Sequence, residues 1–398
     1  MAVPKLRFKA DNGSEFPEWE EKRLGDVGAV AMCKRVFKEQ TSDTGEVPFF
    51  KIGTFGGKPD AYISYALFKE LKEKYPYPKK GTVLLSASGT VGRQVMYNGE
   101  NAYYQDSNIV WLEHDDTVID GFLNQFYSIV KWKGLEGSTI KRLYNKTILD
   151  TVFYRPSLPE QRKIASFLST IDDIIQSTES ELTAWQERKK GVMQKIFNRE
   201  VRFKADDGSE FPEWEEKRLG ELGEFIGGGT PSTKVKEYWK GTIPWISSSD
   251  VFENDIQQLS VSRFITEEAI EKSATKRIPE NSICIVCRVG VGKVVIAPFE
   301  LCTSQDFVSI TALKDDICFL GYAMWNLMQR KISDVRGTSI KGIPVKDLRE
   351  YMIDVPSLPE QRKIAECLSS LDDVINQIDA ELSAWKEFKK GLLQQMFV

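Results

Sequence analysis

Histidine is almost absent from this 398-residue chain: the one copy, His114, stands in the acidic run Glu113-His114-Asp115-Asp116. Multi-histidine metal sites are thereby excluded, and any histidine-based nucleophile triad would have to use this residue. Cysteine is sparse. Cys33, Cys284, Cys287, Cys302, Cys318 and Cys367 are scattered mostly through apolar stretches, as free thiols of a reducing compartment are, rather than a disulfide frame. No stretch approaches the roughly 18–20 apolar residues that a membrane span needs, so no membrane association is expected. Met1 to Arg7 carry no apolar secretion signal, and the expected address is the cytoplasm. Positive charge is not in excess either: 54 Lys and Arg against 58 Asp and Glu leave a net charge of −4. Binding to nucleic acid would therefore need local basic surfaces, or charge lent by a partner.

Apolar and aromatic residues, at 41% and 11%, are plentiful enough to build cores, which excludes a disordered chain. The length suits two or three domains. Internal repetition is the dominant signal. Residues 7–26 (Arg7-Phe8-Lys9-Ala10-Asp11 to Leu24-Gly25-Asp26) recur as 202–221 with all but two of 20 positions identical, at an offset of 195. Residues 156–197, opening Pro156-Ser157-Leu158-Pro159-Glu160-Gln161-Arg162-Lys163-Ile164-Ala165, recur as 356–397 with 25 of 42 positions identical, at an offset of 200. The segments between them, 27–155 and 222–355, barely resemble each other. Faint correspondences survive at the same offset, among them Val91-Gly92 with Val291-Gly292, Gln105-Asp106 with Gln305-Asp306, and Gly137, Ile140 and Lys141 with Gly337, Ile340 and Lys341. The pattern predicts one fold used twice, carrying two different surfaces.

The second repeat reads as a long helix. Ser157-Leu158-Pro159-Glu160 has the form of a capping box, with proline tolerated in the first turn. Apolar residues then recur in steps of three and four: Ile164, Leu168, Ile171, Ile175, Leu182 and Trp185, matched by Ile364, Leu368, Leu371, Ile375, Leu382 and Trp385. This heptad seam, interrupted by Thr178 and by the paired Lys189 and Lys389, predicts a coiled coil in which the two helices pair, each about 55–60 Å long. An amphipathic helix packed on its own domain is the alternative. The variable segments read as mixed α/β. Gly81–Gly89 and Ser282–Gly290 look like strands ending in glycine turns, Ile243–Ser247 like a short strand, and Tyr322–Met328 like a helix.

Catalytic motifs do not survive inspection. Cys284-x-x-Cys287 is half of a zinc spacing with no second half, and on a strand the two thiols would face opposite sides. Asp60 with Glu70 and Lys72 matches the outline of a metal-dependent nuclease, an outline common enough to arise by chance. Gly227-Gly228-Gly229-Thr230 lacks the lysine spacing of a phosphate loop. What remains is a non-enzymatic binding protein with two reading surfaces. Lys, Arg, Asp and Glu sum to about +3 over 27–155 and about −1 over 222–355. Candidate contacts to phosphates or base edges cluster at the expected turns: Lys51, Ser86, Ser88, Thr90 and Arg93 in one half, Ser247, Ser248, Ser249, Arg288 and Lys293 in the other, with Lys141 and Lys341 beside them.

Trp19-Glu20-Glu21-Lys22-Arg23-Leu24-Gly25 before a variable segment, then Leu-Pro-Glu-Gln-Arg-Lys-Ile-Ala opening a long helix, both present twice, resemble the specificity subunits of type I restriction-modification systems over the whole chain. The resemblance implies an α/β (α+β) chain of two globular target-recognition domains joined by two long antiparallel coiled-coil helices, an internal pseudo-two-fold repeat. The domains would be 1–155, the helix 156–198, 199–355 and the helix 356–398. It further implies double-stranded DNA as ligand, read as an asymmetric bipartite target with a gap set by the helices. Two methylation subunits and, where present, restriction (translocase) subunits would be the partners. No cofactor would bind this chain; S-adenosylmethionine, ATP and magnesium would belong to the partners. Helix faces around Arg188-Lys189-Lys190 and Phe388-Lys389-Lys390 would be available for docking them. The alternatives are a scaffold whose domains no longer read DNA, and the nuclease on Asp60, Glu70 and Lys72.

Overall fold

The computed structural model describes residues 4–132, 142–334 and 342–397. The chain forms two compact units, 1–179 with 380–398, and 180–379. In the first unit an antiparallel sheet runs Gly28–Ala31, Ile109–His114, Val83–Ser86, Gln94–Met96. A smaller sheet runs Tyr62–Ile63, Val47–Phe50, Tyr103–Tyr104, its last two strands parallel. The second unit repeats the plan. One sheet runs Glu224–Gly227, Phe307–Thr311, Ile283–Val286, Val294–Ile296. The other runs Arg263–Ile265, Ile243–Ile246, Leu301–Thr303, Arg277–Ile278, its central pair parallel. Two segments of dissimilar sequence thus share one topology.

The unbroken apolar runs in the middle strands follow from burial on both faces, since successive side chains point to opposite sides. Val83 and Leu85 enter one core with Trp19 and Phe122, while Leu84 enters another with Phe49 and Tyr103. Ile283 and Ile285 likewise face a core with Trp214 and Phe319, and Cys284 and Val286 face a second one. Cys284 and Cys287 therefore lie in different cores. Burial pushes their thiols up to about 11 and about 12, so they stay protonated at neutral pH.

Short ribbons bring the ends of each variable segment together: Glu20–Arg23 pairs with Val152–Arg155, and Glu215–Arg218 with Met352–Val355. The chain then enters the long helices Leu158–Phe197 and Leu358–Met396. Within the first unit the start of one lies antiparallel to the end of the other, with Asp172 bonded to Lys389 and Glu179 2.7 Å from Lys386. The second unit contains the mirrored pair, Lys189 with Asp372, to which Tyr322 donates its hydroxyl at 2.6 Å. The lysines that interrupt the seam are thus the cationic halves of cross-helix ion pairs.

The seam itself is less uniform than a two-stranded coil. Ile164, Leu168 and Ile171 share a core with Trp19 and Phe122 as well as with Leu393 and Met396. Ile364, Leu368 and Leu371 do the same with Trp214, Phe319 and Met193. Packing on the domain and pairing of helices, offered by the sequence as alternatives, coexist at the helix starts. Ile175, Leu182, Trp185, Ile375 and Trp385 are half-buried, and Leu382 is buried.

The expected capping box does not form. The Ser157 and Ser357 hydroxyls are buried without a partner, and Glu160 and Glu360 turn elsewhere. Proline two residues after the serine removes one of the amides such a cap would bind. Fully buried Glu160 instead accepts the guanidinium fork of Arg7, Nε at 2.9 Å and Nη2 at 2.8 Å. Glu360 accepts Arg202 at 3.2 and 2.9 Å, and also the Trp214 indole N–H at 3.2 Å. Gln161 donates to the Thr117 and Pro156 carbonyls (3.0 and 2.9 Å) and accepts from the Ile119 amide at 3.1 Å. Gln361 donates to the Asp315 carboxylate and the Pro356 carbonyl and accepts from the Asp316 amide. The Pro-Glu-Gln motif and the repeat carrying Arg7 and Arg202 are therefore two halves of one clasp, a physical reason for both to be duplicated.

His114 ends the strand Ile109–His114 of the larger first-unit sheet, Nε2 3.3 Å from Asp120 and Nδ1 2.8 Å from the Asp115 carbonyl. The Asp120 bond raises its pKa, against burial. A raised value means stability that is present below the ordinary imidazole value of about 6.5 and is lost as pH rises through the folded value. Because this is the only imidazole in the chain, one proton NMR titration reads it. The midpoint should lie above the ordinary value and return toward it in Asp120→Asn; an unshifted native midpoint would refute the assignment.

Candidate nucleic-acid interface

Both units end a central strand in a glycine loop closed by the same pair of backbone hydrogen bonds. In residues 86–93 the Gly92 amide donates to Ser86 O and the Ser86 amide to Arg93 O, each at 2.9 Å. In 286–293 the Gly292 amide donates to Val286 O at 3.0 Å and the Val286 amide to Lys293 O at 2.9 Å. Gly92 and Gly292 have φ of +81° and +100°, and a β-carbon at Gly292 would sit 2.1 Å from Ile332 Cδ1. Only glycine serves at such a position.

Other turns gather around these loops. In the first unit Arg93 donates to Phe55 O at 2.9 Å, tying the loop to the turn 51–57, whose Ile52 amide donates to Gln105 Oε1 at 2.9 Å. Ser88 donates to Asn108 Oδ1 at 2.9 Å, and Arg35 pairs with Asp106 at 2.9 Å. In the second unit Lys293 donates to the Ser248 and Val251 carbonyls at 3.2 and 3.0 Å. Arg263 stacks on Trp245 with its guanidinium carbon 4.6 Å from the ring centroid, and reaches Ser247 Oγ and Asp250 Oδ2, both at 2.5 Å. Thr230 donates to Gln305. A groove of about 540 Å³ lined by Gly227, Gly228, Arg288, Gln305, Asp306 and Gly342 adjoins this cluster.

The candidate contact residues accordingly fall into two kinds. Ser86 is buried, and its hydroxyl donates to Thr90 O while accepting the Arg93 amide at 2.8 Å, so it builds the loop rather than facing a ligand. Nη1 of Arg93 and the Lys293 ammonium bond to carbonyls, and Lys51 is 2.9 Å from Asp60. Ser247 and Ser249 share a hydrogen bond at 2.9 Å. Thr90, Arg93, Ser249 and Arg288 are exposed, and among the described residues the Arg288 guanidinium has no hydrogen-bond partner. Lys141 and Lys341, with Gly137, Ile140, Gly337 and Ile340, lie outside the described residues. The chain beyond them is fixed to the same loops, the Leu143 amide donating to Ala87 O and the Ile343 amide to Cys287 O, both at 2.7 Å. Gln105, Asp106, Gln305 and Asp306 were visible as a match at the repeat offset, but nothing marked them as part of the cluster; Arg35 and Arg263 carried no signal.

The nuclease outline is not assembled. Asp60 is engaged by Lys51, Glu70 bonds Lys74 at 3.0 Å, and Lys72 lies over the rings of Phe68 and Tyr77. Among the described residues no group of three or more His, Cys, Asp and Glu side chains could hold a metal ion, and no helix is long and apolar enough to cross a membrane.

Two sheet pairs of one topology, each ending in a stabilised polar loop cluster, define a duplicated recognition protein. The sequence pattern described as type I restriction modification DNA specificity domain matches residues 17–184 and again 212–384, and the chain belongs to that family. It is similar to S.HindORF215P of Haemophilus influenzae, 55% identical over 39% of this chain and 40% of that protein. The type I restriction enzyme MjaIX specificity subunit of Methanocaldococcus jannaschii is 34% identical over 51% of this chain and 48% of its own length. The chain thus spans less than half the length of each of these relatives. In fold it is similar to the crystallised type I restriction-modification S subunit of M. genitalium, with a TM-score of 0.63 and 16% identity over 100% of this chain and 99% of that one.

Proposed function

We propose that this chain is the DNA-specificity subunit of a type I restriction-modification assembly and is not itself an enzyme. Each unit reads one part of a bipartite duplex target, and the long helices set the unread gap. Two methylation subunits bind the chain and methylate adenine N6 in each part with S-adenosylmethionine. Restriction subunits, with ATP and magnesium, cut unmodified DNA in the cytoplasm. The observation that supports this most strongly is the pair of glycine loops closed by the same two backbone hydrogen bonds but built with different tips and side chains: position 88 is serine where 288 is arginine, and 90 is threonine where 290 is glycine. A shared scaffold with unlike side chains suits unlike half-sites, because arginine reads guanine edges and serine reads less selectively. The net charge of −4 suits a subunit that grips phosphates only with its partners.

The test is to co-express this chain with the methylation subunit encoded beside it and map N6-methyladenine across the host genome. The expected result is a two-part asymmetric motif methylated on both strands, of which one part changes when 27–155 is exchanged for a relative's segment. An assembled complex that adds no methylation would overturn the reading in favour of a scaffold.

A further inference from the structure

The two loops share one feature that a contact surface does not require. The residue closing each is basic and turns back onto a carbonyl: Arg93, though exposed, through Nη1, and half-buried Lys293 through its ammonium. Arg93 reaches Phe55 O, in the turn that follows Val47–Phe50; Lys293 reaches Ser248 O and Val251 O, in the turn that follows Ile243–Ile246. Those strands hold the same place in their sheets, each parallel to the strand beside it. The same link between glycine loop and neighbouring turn is therefore made twice, at positions 200 residues apart, by different side chains and in segments that share almost no sequence. Carbonyl oxygens attract a cation strongly where water is partly excluded, and two of them on one ammonium fix the spacing of the chains that carry them.

We infer that Arg93 and Lys293 are positioning residues for DNA reading: each locks the glycine loop to the adjacent turn, so that position 88 or 288 and the neighbouring polar side chains meet base edges in a fixed register. This rests on the function proposed above. It separates two roles that sequence alone merges. A phosphate contact supplies affinity and salt dependence without sequence information, whereas a support residue supplies selectivity without adding to the counterions released.

The experiment uses the full chain assembled with its methylation subunits. Duplexes carry the motif that the wild-type complex methylates, or single base-pair changes in it, and binding is followed across a salt series. If the wild-type complex methylates no motif, the functional reading itself fails; if it does, the variants judge this inference alone. Lys293→Met should leave the slope of log K against log salt unchanged and reduce discrimination about tenfold in one half-site only, with the other half-site read as before. Lys293→Gln, which keeps a donor without the charge, should retain more of the discrimination with the same slope. Arg288→Ala should relax the same half-site. A slope smaller by about 1 in both Lys293 variants with discrimination intact would make Lys293 a phosphate contact and overturn the inference. Unchanged slope and unchanged discrimination would overturn it equally. Should Lys293→Met not assemble, the Gln variant decides by the same two readouts.

Discussion

Glu360→Ala is expected to destabilise the second unit by about 3–5 kcal/mol, the cost of removing one partner of a buried ion pair. The Glu360 side chain is wholly buried and that of Arg202 is 19% exposed. Without the carboxylate, Arg202 keeps only the Phe211 and Pro212 carbonyls and Glu213, and the Trp214 indole loses its acceptor. For a unit of this size the loss corresponds to a fall of roughly 10 °C in unfolding midpoint, measurable by calorimetry. Glu360→Gln, which keeps an acceptor for the guanidinium and the indole, should cost clearly less. A fall below about 1 kcal/mol for the alanine variant would mean that the clasp behaves as a solvated pair, and the account of the Pro-Glu-Gln motif would be wrong.

The second large effect concerns the cross-helix pairs. Lys189 and Asp372 have side chains 9% and 4% exposed, whereas Asp172, the partner of Lys389, is 38% exposed. Lys189→Met should therefore cost about 3–5 kcal/mol, and Lys389→Met closer to 1. Burial already raises the Asp372 pKa, against the pull of Lys189. Removing the lysine raises it further, so over the window above the ordinary carboxylate value the native state holds a proton that the unfolded state has released. Stability of the variant then falls as pH rises, and its deficit should be larger at pH 8 than at pH 5. Urea melts at the two pH values provide the comparison. The double variant Lys189→Met with Asp372→Leu should recover most of the loss, since no lone charge remains buried. A double variant as unstable as the single one would show that the two groups are not coupled.

Repetition and periodicity made much of this architecture legible. The offsets of 195 and 200 marked the duplicated plan, and apolar runs at 83–86 and 283–286 marked strands covered on both faces. The stripe Ile164, Leu168, Ile171 announced a helix but could not name its partner, because a period near 3.5 is satisfied equally by a domain face and by another helix. Ser157 to Glu160 failed as a capping box because Arg7, more than 150 residues away, offers the glutamate a better bond than the helix end does. The carbonyl bonds of Arg93 and Lys293 had no signature, because a basic residue beside a glycine has the same local pattern whether it points to solvent or back to a carbonyl. Ser86 was misjudged for a related reason, since a hydroxyl closing a turn and a hydroxyl facing a ligand share one sequence signature.

The composition of the first unit also bears on how the chain is made. Its core is completed by Leu393, Met396 and Phe397, and the Leu6 amide donates to Gln395 O at 3.0 Å. On the ribosome these residues are synthesised after everything else in that core, so its apolar faces around Trp19 and Phe122 remain uncovered while the entire second unit is translated. Nascent chains stalled before residue 390 should accordingly leave the earlier-made unit open to protease.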